Sequence, residues 1–252
     1  MKVIREKIIT SDFGEKESEI FVYQSEKETN KVLFIIKGMY GRHAPLLETT
    51  DTPKWDMQFV NFFTKDVNVV CFNTSSKKIN IGSNFSERNK AYDGKTFQEE
   101  LGDIQKIITR VKDIFRNQGI KELDFYFFGK SFGGTLLLGL RETLDAKAIY
   151  MAGSGCGKSE NTSKTLLMTM PKEDTLLKNI SAYNNGKFYF FRGGLDDVVP
   201  KESQEKIVNA VNKNIMEYMV LEGVDHEFEK VDGIDSDIPT KYLLQKVSEG
   251  VL

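Results

Sequence analysis

The sequence is poor in the residues that build disulfide frameworks and metal clusters. Its 252 residues include only two cysteines, two histidines and one tryptophan. Cys71 lies in an apolar segment and Cys156 in a glycine-rich one, so we expect two free thiols rather than a disulfide framework. His43 and His226 are 183 positions apart (226 − 43), which is no zinc-ligand spacing. We therefore expect no bound metal and no other cofactor.

Long hydrophobic runs and an excess of charge of one sign are also lacking. Residues 1–13 mix charged and apolar side chains without the apolar core of a signal peptide, and no stretch of about 18 apolar residues occurs. With 35 basic and 37 acidic residues, the formal net charge is −2, so no general field attracts nucleic acid or an anionic membrane. We expect a cytoplasmic protein that binds neither, and the sequence leaves the oligomeric state open.

The hydrophobic residues that are present predict a layered fold. A content of 40% hydrophobic residues is enough for one large core, so we expect residues 1–252 to form a single domain. Strand-like apolar segments alternate with helix-like ones, which predicts an α/β fold: a mainly parallel, doubly wound sheet of about eight strands with helices on both faces. We expect residues 73–95 to form an irregular loop that rims a site, and residues 153–170 a short lid-like loop.

One short segment combines a buried strand, a serine and an apolar helix. Gly129, Ser131 and Gly133 form the pattern G-x-S-x-G between the two apolar segments. A serine hydroxyl is a poor nucleophile unless it projects from a sharp turn that a base can reach, and glycines make room for such a turn. The turn would also leave the Phe132 amide at a helix N-terminus, where it favours a developing oxyanion.

An acid and a base follow later strand-like segments. Asp196 comes after the apolar segment 187–191, and His226 comes after the segment 215–221. Histidine is the usual proton acceptor near neutral pH, and a carboxylate fixes its tautomer and stabilises its charged form. The spacing therefore predicts Ser131 as nucleophile, Asp196 as the orienting acid and His226 as base.

This order of nucleophile, acid and base after successive strands resembles the α/β-hydrolase family, and the resemblance spans the chain from Val3 onward. It implies a serine hydrolase without a large cap domain, similar to esterases, dienelactone hydrolases and acyl-peptidases. Such an enzyme would cleave a carboxylic ester, thioester or amide through an acyl-enzyme on Ser131. The resemblance also implies that the amides of Met39 and Phe132 form an oxyanion hole, although Lys37 stands where the family commonly has histidine.

Five further residues are candidates for substrate binding: Lys130, Tyr40, Arg42, Leu167 and Met168. Packing in the core explains the last two equally well. The loop 74–95 has a net charge of +3 (5 − 2), which would favour a substrate with an anionic group, although a solvated lysine-rich loop is the simpler interpretation. Its charged residues are Lys77, Lys78, Arg88, Lys90, Lys95, Glu87 and Asp93.

Several alternatives remain open. Asp197 is the rival of Asp196, and His43 is more simply interpreted as a residue at the rim of the site than as the base. Residues 152–159 nearly match the phosphate-binding pattern G-x-x-x-x-G-K-[ST], but no helix-like segment follows Lys158, as such a loop requires. The alternative functions are therefore a nucleotide-binding protein that uses residues 152–159 and a hydrolase-fold binding protein without turnover.

Overall fold

Eight strands form one mixed sheet with the order β1-β2-β4-β3-β5-β6-β7-β8. The computed structural model describes residues 1–39, 41, 43, 55–78, 85–157 and 164–252. β1 pairs antiparallel with β2, β2 pairs antiparallel with β4, and the other neighbours are parallel. The strands are β1 Lys2–Ile8, β2 Ser18–Gln24, β3 Lys31–Ile36, β4 Asn68–Asn73, β5 Asp124–Lys130, β6 Ala148–Ala152, β7 Lys187–Gly193 and β8 Met216–Leu221.

Helices cover both faces of this sheet, which confirms the predicted architecture. Because side chains alternate along a strand, Phe34 of β3 lies in one core and Ile35 in the other. The first core also contains buried residues of α3, α4, α6 and α7, and the second contains those of α1 and α8. The helices are α1 Trp55–Phe63, α2 Phe85–Tyr92, α3 Phe97–Asn117, α4 Phe132–Gly139, α5 Thr165–Met168, α6 Glu173–Ser181, α7 Lys201–Ala210 and α8 Ile238–Val251.

The longest helix, α3, begins with a capping box formed by Thr96 and Glu99. The Thr96 hydroxyl accepts a hydrogen bond from the Glu99 amide at 3.2 Å, and the Glu99 carboxylate accepts one from the Thr96 amide at 2.7 Å. These bonds satisfy backbone groups that have no partner within the helix. The apolar face of α3 is buried against the sheet.

Two segments that we expected to be irregular contain helices. Residues 73–95 include α2, and residues 153–170 include the short helix α5. The first expectation was wrong because it relied on apolar periodicity, which α2 lacks: five of its eight residues are polar. Within the second segment, α5 is a single helical turn. A small hairpin of β9 Lys230–Val231 and β10 Ile234–Asp235 was also not foreseen. The single-domain organisation and the lid function of 153–170 stay predictions.

Candidate active site

The turn between β5 and α4 holds Ser131 in an unusual backbone conformation. Its φ is +54° and its ψ is −126°, a region that residues with a Cβ atom rarely adopt and that persists only where the surroundings enforce it. A Cβ atom on Gly133 would lie 2.2 Å from the Ile36 carbonyl oxygen, and one on Gly129 would lie 2.7 Å from the Gly134 Cα. Glycine at these positions therefore permits β5, α4 and the end of β3 to approach one another.

The structure brings Ser131, His226 and Asp196 into one line of hydrogen bonds. The Ser131 Oγ lies 3.0 Å from the His226 Nε2, and the His226 Nδ1 lies 3.0 Å from the Asp196 Oδ2. Each residue follows a strand, respectively β5, β8 and β7, and these strands run parallel. Their carboxyl ends therefore meet at one edge of the sheet, which explains why residues 95 positions apart are neighbours.

The Asp196 carboxylate is held by four partners. Its Oδ1 accepts hydrogen bonds from the amides of Val198 and Val199, both at 3.0 Å, and its Oδ2 accepts one from the Gln204 side chain at 3.0 Å as well as facing His226. Burial opposes ionisation of this carboxyl, but its bonds to His226 and the two amides outweigh that effect and lower its pKa. The carboxylate is therefore charged near neutral pH and can fix the imidazole with Nδ1 protonated.

Two neighbours of this line were not foreseen from the sequence. Gln204 of α7 is fully buried and donates to Asp196, and no sequence pattern identifies such a donor. Gly153, which follows β6, has a φ of +57°, and a Cβ atom there would lie 3.2 Å from the His226 Nδ1 and 3.3 Å from the Asp196 Oδ2. The sequence signal that could have identified Gly153 is a glycine directly after a strand. Asp197, the rival acid, is exposed.

The loop after β3 also approaches Ser131. A Cβ atom on Gly38 would lie 3.2 Å from the Ser131 Cβ and 3.7 Å from its Oγ, so Met39 follows a residue in contact with the serine. Phe132 is the first residue of α4, and its amide has no acceptor within the helix. These positions are compatible with the predicted oxyanion hole, whose formation stays a prediction.

Lys130, a candidate for substrate binding, has a partner within the protein. Its side chain is only 7% exposed, and its ammonium donates to the Glu227 carbonyl oxygen at 2.7 Å and to the Glu227 carboxylate at 2.6 Å. The ammonium also lies 5.7 Å from the centre of the Trp55 ring. This ion pair therefore connects the residue before Ser131 to the residue after His226. A substrate anion would compete with Glu227 for the Lys130 ammonium.

The other substrate-binding candidates receive little support from their positions. Tyr40 and Arg42 lie outside the described residues. Leu167 packs partly buried against the first core, and Met168 is 56% exposed. A cavity of about 20 Å³ lies beside Gly38 and Phe132, and the α5 residue that lines it is Leu166. The roles of these candidates in substrate binding stay predictions.

The predicted basic rim of residues 74–95 is smaller than its composition indicates. Lys95 is completely buried, and its ammonium lies 2.7 Å from the Asp103 carboxylate and 2.6 Å from that of Glu100. Burial disfavours the charged lysine, but the two carboxylates outweigh burial and raise its pKa. Lys77 lies 3.6 Å from Asp93, and the side chain of Arg88 lies outside the described part of the chain. A basic rim that binds substrate would need Lys95 to face the substrate, and the buried Lys95 does not.

His43 is not a rim residue, which corrects our expectation. Its ring is buried, with its Nδ1 2.6 Å from the Asp56 Oδ2 and its Nε2 2.6 Å from the Tyr23 hydroxyl. The Cys71 sulfur also lies within 4.8 Å of a His43 ring nitrogen and an Asp56 carboxylate oxygen, and these three atoms are of the kinds that can bind a metal ion. However, the Lys37 ammonium lies 2.6 Å from the same Asp56 oxygen, and this positive charge disfavours a metal ion there. The absence of a metal stays a prediction.

Three amides in the described part of the phosphate-loop candidate donate hydrogen bonds within the protein. The Gly153 amide donates to the Phe191 carbonyl oxygen at 2.9 Å, and the amides of Cys156 and Gly157 both donate to the Ser203 hydroxyl. Amides of a phosphate-binding loop must instead point at the ligand. Residues 158 and 159 lie outside the described residues.

None of the helices that the structure describes has the length and apolar character of a membrane-spanning segment.

Solved structures with the same architecture are esterases and hydrolases. A highly thermostable carboxyl esterase from Bacillus coagulans aligns over 100% of both chains with a TM-score of 0.69 and 11% identity. A monoacylglycerol lipase from Paleococcus ferrophilus aligns over 99% of this chain and 100% of its own, with a TM-score of 0.63 and 13% identity. A serine hydrolase without a lid from Xanthomonas campestris covers 99% and 94%, with a TM-score of 0.59 and 10% identity.

The sequence matches no protein-family model and no curated protein sequence. The structural likenesses therefore establish the class of fold: the chain has the α/β-hydrolase fold, as the order of Ser131, Asp196 and His226 after successive strands implied.

Proposed function

We propose that this protein is a serine hydrolase that cleaves a carboxylic ester, thioester or amide through an acyl-enzyme on Ser131. The observation that supports this most strongly is the line of two 3.0 Å hydrogen bonds from Ser131 through His226 to Asp196. A serine, an imidazole and a carboxylate in this order are the arrangement that activates a hydroxyl for nucleophilic attack. The esterases among the structural neighbours are consistent with this chemistry.

In the first half-reaction, the Ser131 oxygen attacks the substrate carbonyl carbon, and its proton passes to the His226 Nε2. Asp196 stabilises the resulting imidazolium through its bond to Nδ1. The amides of Met39 and Phe132 donate hydrogen bonds to the tetrahedral oxyanion. When the intermediate collapses, the bond to the leaving group breaks, and His226 returns the proton to the departing alcohol, thiol or amine.

In the second half-reaction, a water molecule attacks the acyl-enzyme. His226 accepts a proton from the water, the carbonyl re-forms, and the Ser131 oxygen leaves with the proton that His226 returns. The products are a carboxylic acid and free enzyme. The substrate is a small molecule or an acyl or peptidyl compound, and we propose that the protein acts in the cytoplasm without nucleic acid or membrane.

A fluorophosphonate probe tests the proposal directly, because it labels a serine only where a base activates the hydroxyl. We expect the wild-type protein to be labelled and to hydrolyse p-nitrophenyl acetate, and we expect Ser131→Ala to do neither. Thr135→Ser, which lies in the same apolar helix, is the matched control and should keep its labelling. An unlabelled wild-type protein would refute the serine-hydrolase proposal.

Ester turnover and the nucleotide content of the purified protein separate the two alternatives. A hydrolase-fold binding protein without turnover would bind an ester and leave it intact. A nucleotide-binding protein would retain ATP through purification, which the internal hydrogen bonds of Gly153, Cys156 and Gly157 disfavour. Once labelling is established, rates on a panel of acyl esters, thioesters and aminoacyl amides would assign the substrate class.

A further inference from the structure

A buried carboxylate of α1 binds residues on both sides of the loop after β3. The Asp56 Oδ2 lies 2.6 Å from the Lys37 ammonium and 2.6 Å from the His43 Nδ1. The Asp56 side chain is 1% exposed, that of Lys37 is 11% exposed and that of His43 is 0% exposed. Met39, the predicted oxyanion donor, lies between these two residues in the chain. One oxygen atom therefore binds both sides of the segment that contains Met39.

Further contacts hold His43 at its place. The Tyr23 hydroxyl lies 2.6 Å from the His43 Nε2. The Asn73 side chain, at the end of β4, accepts from the His43 amide at 2.7 Å and donates to the His43 carbonyl oxygen at 2.9 Å. The imidazole is therefore held through both ring nitrogens and its backbone, and it connects Asp56 to Tyr23 of β2 and Asn73 of β4.

The Lys37 end of the segment is fixed against the nucleophile. A Cβ atom on Gly133 would lie 2.6 Å from the Lys37 carbonyl oxygen, and one on Gly38 would lie 3.2 Å from the Ser131 Cβ. The Gly41 amide donates to the Gly38 carbonyl oxygen at 2.9 Å. A displacement of Lys37 would therefore move the backbone that contacts Ser131.

We propose that Asp56 is a positioning residue, which holds the Met39 amide beside Ser131 by binding Lys37 and His43 at once. This inference rests on the proposed function and extends it to a residue that does not touch the substrate. An amide that must meet an oxyanion has to be held in place before the reaction, because a displacement of about 1 Å costs roughly a hundredfold in rate.

The charge of Asp56 is suited to this role. Burial opposes ionisation, but the hydrogen bond from His43 and the Lys37 ammonium outweigh it and lower the pKa of Asp56 to about 2. The carboxylate therefore stays charged, and its bond to the Lys37 ammonium stays charge-assisted, at any pH where His226 could act as a base.

Two variants test the positioning role. Asp56→Asn removes the charge of the carboxylate, and Lys37→Met removes one of the two side chains that bind it. In both, we expect kcat on p-nitrophenyl acetate to fall by about tenfold to a hundredfold with KM changed by less than about threefold. The Ki of an aryl trifluoromethyl ketone should rise by a similar factor. This ketone accepts the Ser131 oxygen at its carbonyl carbon while the proton passes to His226, so its bound form places an oxyanion in the hole.

Asp103→Asn is the matched control, because Asp103 also forms a buried ion pair with a lysine, Lys95, at 2.7 Å. We expect it to lower stability as Asp56→Asn does but to change kcat and the Ki of the ketone by less than twofold. Equal losses of kcat in Asp103→Asn and Asp56→Asn would show a general effect of instability and overturn the proposal. Unchanged kcat and Ki in Asp56→Asn would overturn it as well.

Removing one partner of a buried pair can prevent folding, whereas removing both charges is far better tolerated. The double variant Lys37→Met with Asp56→Asn leaves no unpaired charge and should show the same loss of kcat. A second readout needs no activity: exchange of the Gly41 amide should accelerate in Asp56→Asn and not in Asp103→Asn. An inactive wild type would refute the proposed function, while unchanged Gly41 exchange would refute the role of Asp56.

Discussion

Lys130 lies directly before Ser131, and its buried ammonium binds both the carbonyl oxygen and the carboxylate of Glu227, the residue after His226. A charge-assisted hydrogen bond of this kind contributes roughly 1.5–3 kcal/mol. Here it connects the turn that presents the proposed nucleophile to the loop that presents the proposed base. At the scale of single residues, Lys130 is therefore a candidate for fixing the relative position of Ser131 and His226.

We predict that Lys130→Met lowers kcat/KM on esters by about tenfold, because the loop that contains His226 loses its attachment to the turn. A neutral and a carboxylated ester should slow by the same factor. Steady-state rates on both esters measure this. A loss confined to the carboxylated ester would instead support a direct role of Lys130 in binding an anionic substrate group.

Glu227→Gln provides the control for this interpretation. It keeps the backbone carbonyl oxygen that accepts from Lys130 and removes only the charge of the second acceptor. We expect a smaller loss of kcat/KM than in Lys130→Met. A larger loss than in Lys130→Met would mean that the charge of the Glu227 carboxylate, rather than the attachment of the loop, sustains kcat/KM.

The residues of the site differ in how far the sequence could predict them. Ser131, Asp196 and His226 could be placed because each follows an apolar strand, and parallel strands bring their carboxyl ends together. Gln204 and the burial of His43 could not be predicted. The donor to Asp196 comes from α7, and the partners of His43 come from β2 and α1, so both depend on how helices pack on the sheet.

At the scale of elements, apolar periodicity decided what the sequence could predict. The strand β3 and the long helix α3 have buried faces, and a buried face leaves an apolar pattern in the sequence. α2 has the sequence FSERNKAY, which contains no such pattern, and we therefore expected a loop there. The start of α3 depends on a local pattern instead, because Thr96 and Glu99 form both hydrogen bonds of a capping box.

We predict that Thr96→Ala lowers the free energy of unfolding by about 1 kcal/mol, because the Glu99 amide loses its acceptor at the start of α3. Urea denaturation measures the change, and kcat/KM on p-nitrophenyl acetate should stay the same. Thr109→Ala is the control, since Thr109 is an exposed residue inside the same helix whose hydroxyl donates only to the Gln105 carbonyl oxygen. If both variants lose equal stability, the cap has no special role.

At the scale of the whole molecule, three buried carboxylates, those of Asp56, Asp103 and Asp196, contribute to how the fold responds to acid. Burial raises the pKa of Asp56, Asp103 and Asp196, but hydrogen bonds and neighbouring positive charge outweigh it and hold each pKa below its usual value. The unfolded chain therefore binds more protons in acid than the native protein does. Their contribution to stability is complete above the unfolded pKa, about 4, and is lost as the pH falls through the native pKa.

We predict that the free energy of unfolding decreases between pH 5 and pH 3, as measured by urea denaturation at a series of pH values. Asp103→Asn should be less stable than wild type at pH 7 but should lose less stability over this interval, because one of the three carboxylates no longer takes up a proton. Parallel curves for wild type and variant would contradict the assignment of Asp103.

The position of His226 after the last strand of the sheet also has a consequence for biosynthesis. Ser131 is incorporated 95 residues before His226, and Asp196 is incorporated between them. A nascent chain on the ribosome can therefore complete the β5 turn and expose its serine while the residue that would activate it has not been translated. On the proposed mechanism, the growing polypeptide stays chemically inert until β8 takes its place at the edge of the sheet, so translation itself delays activity until folding is nearly complete.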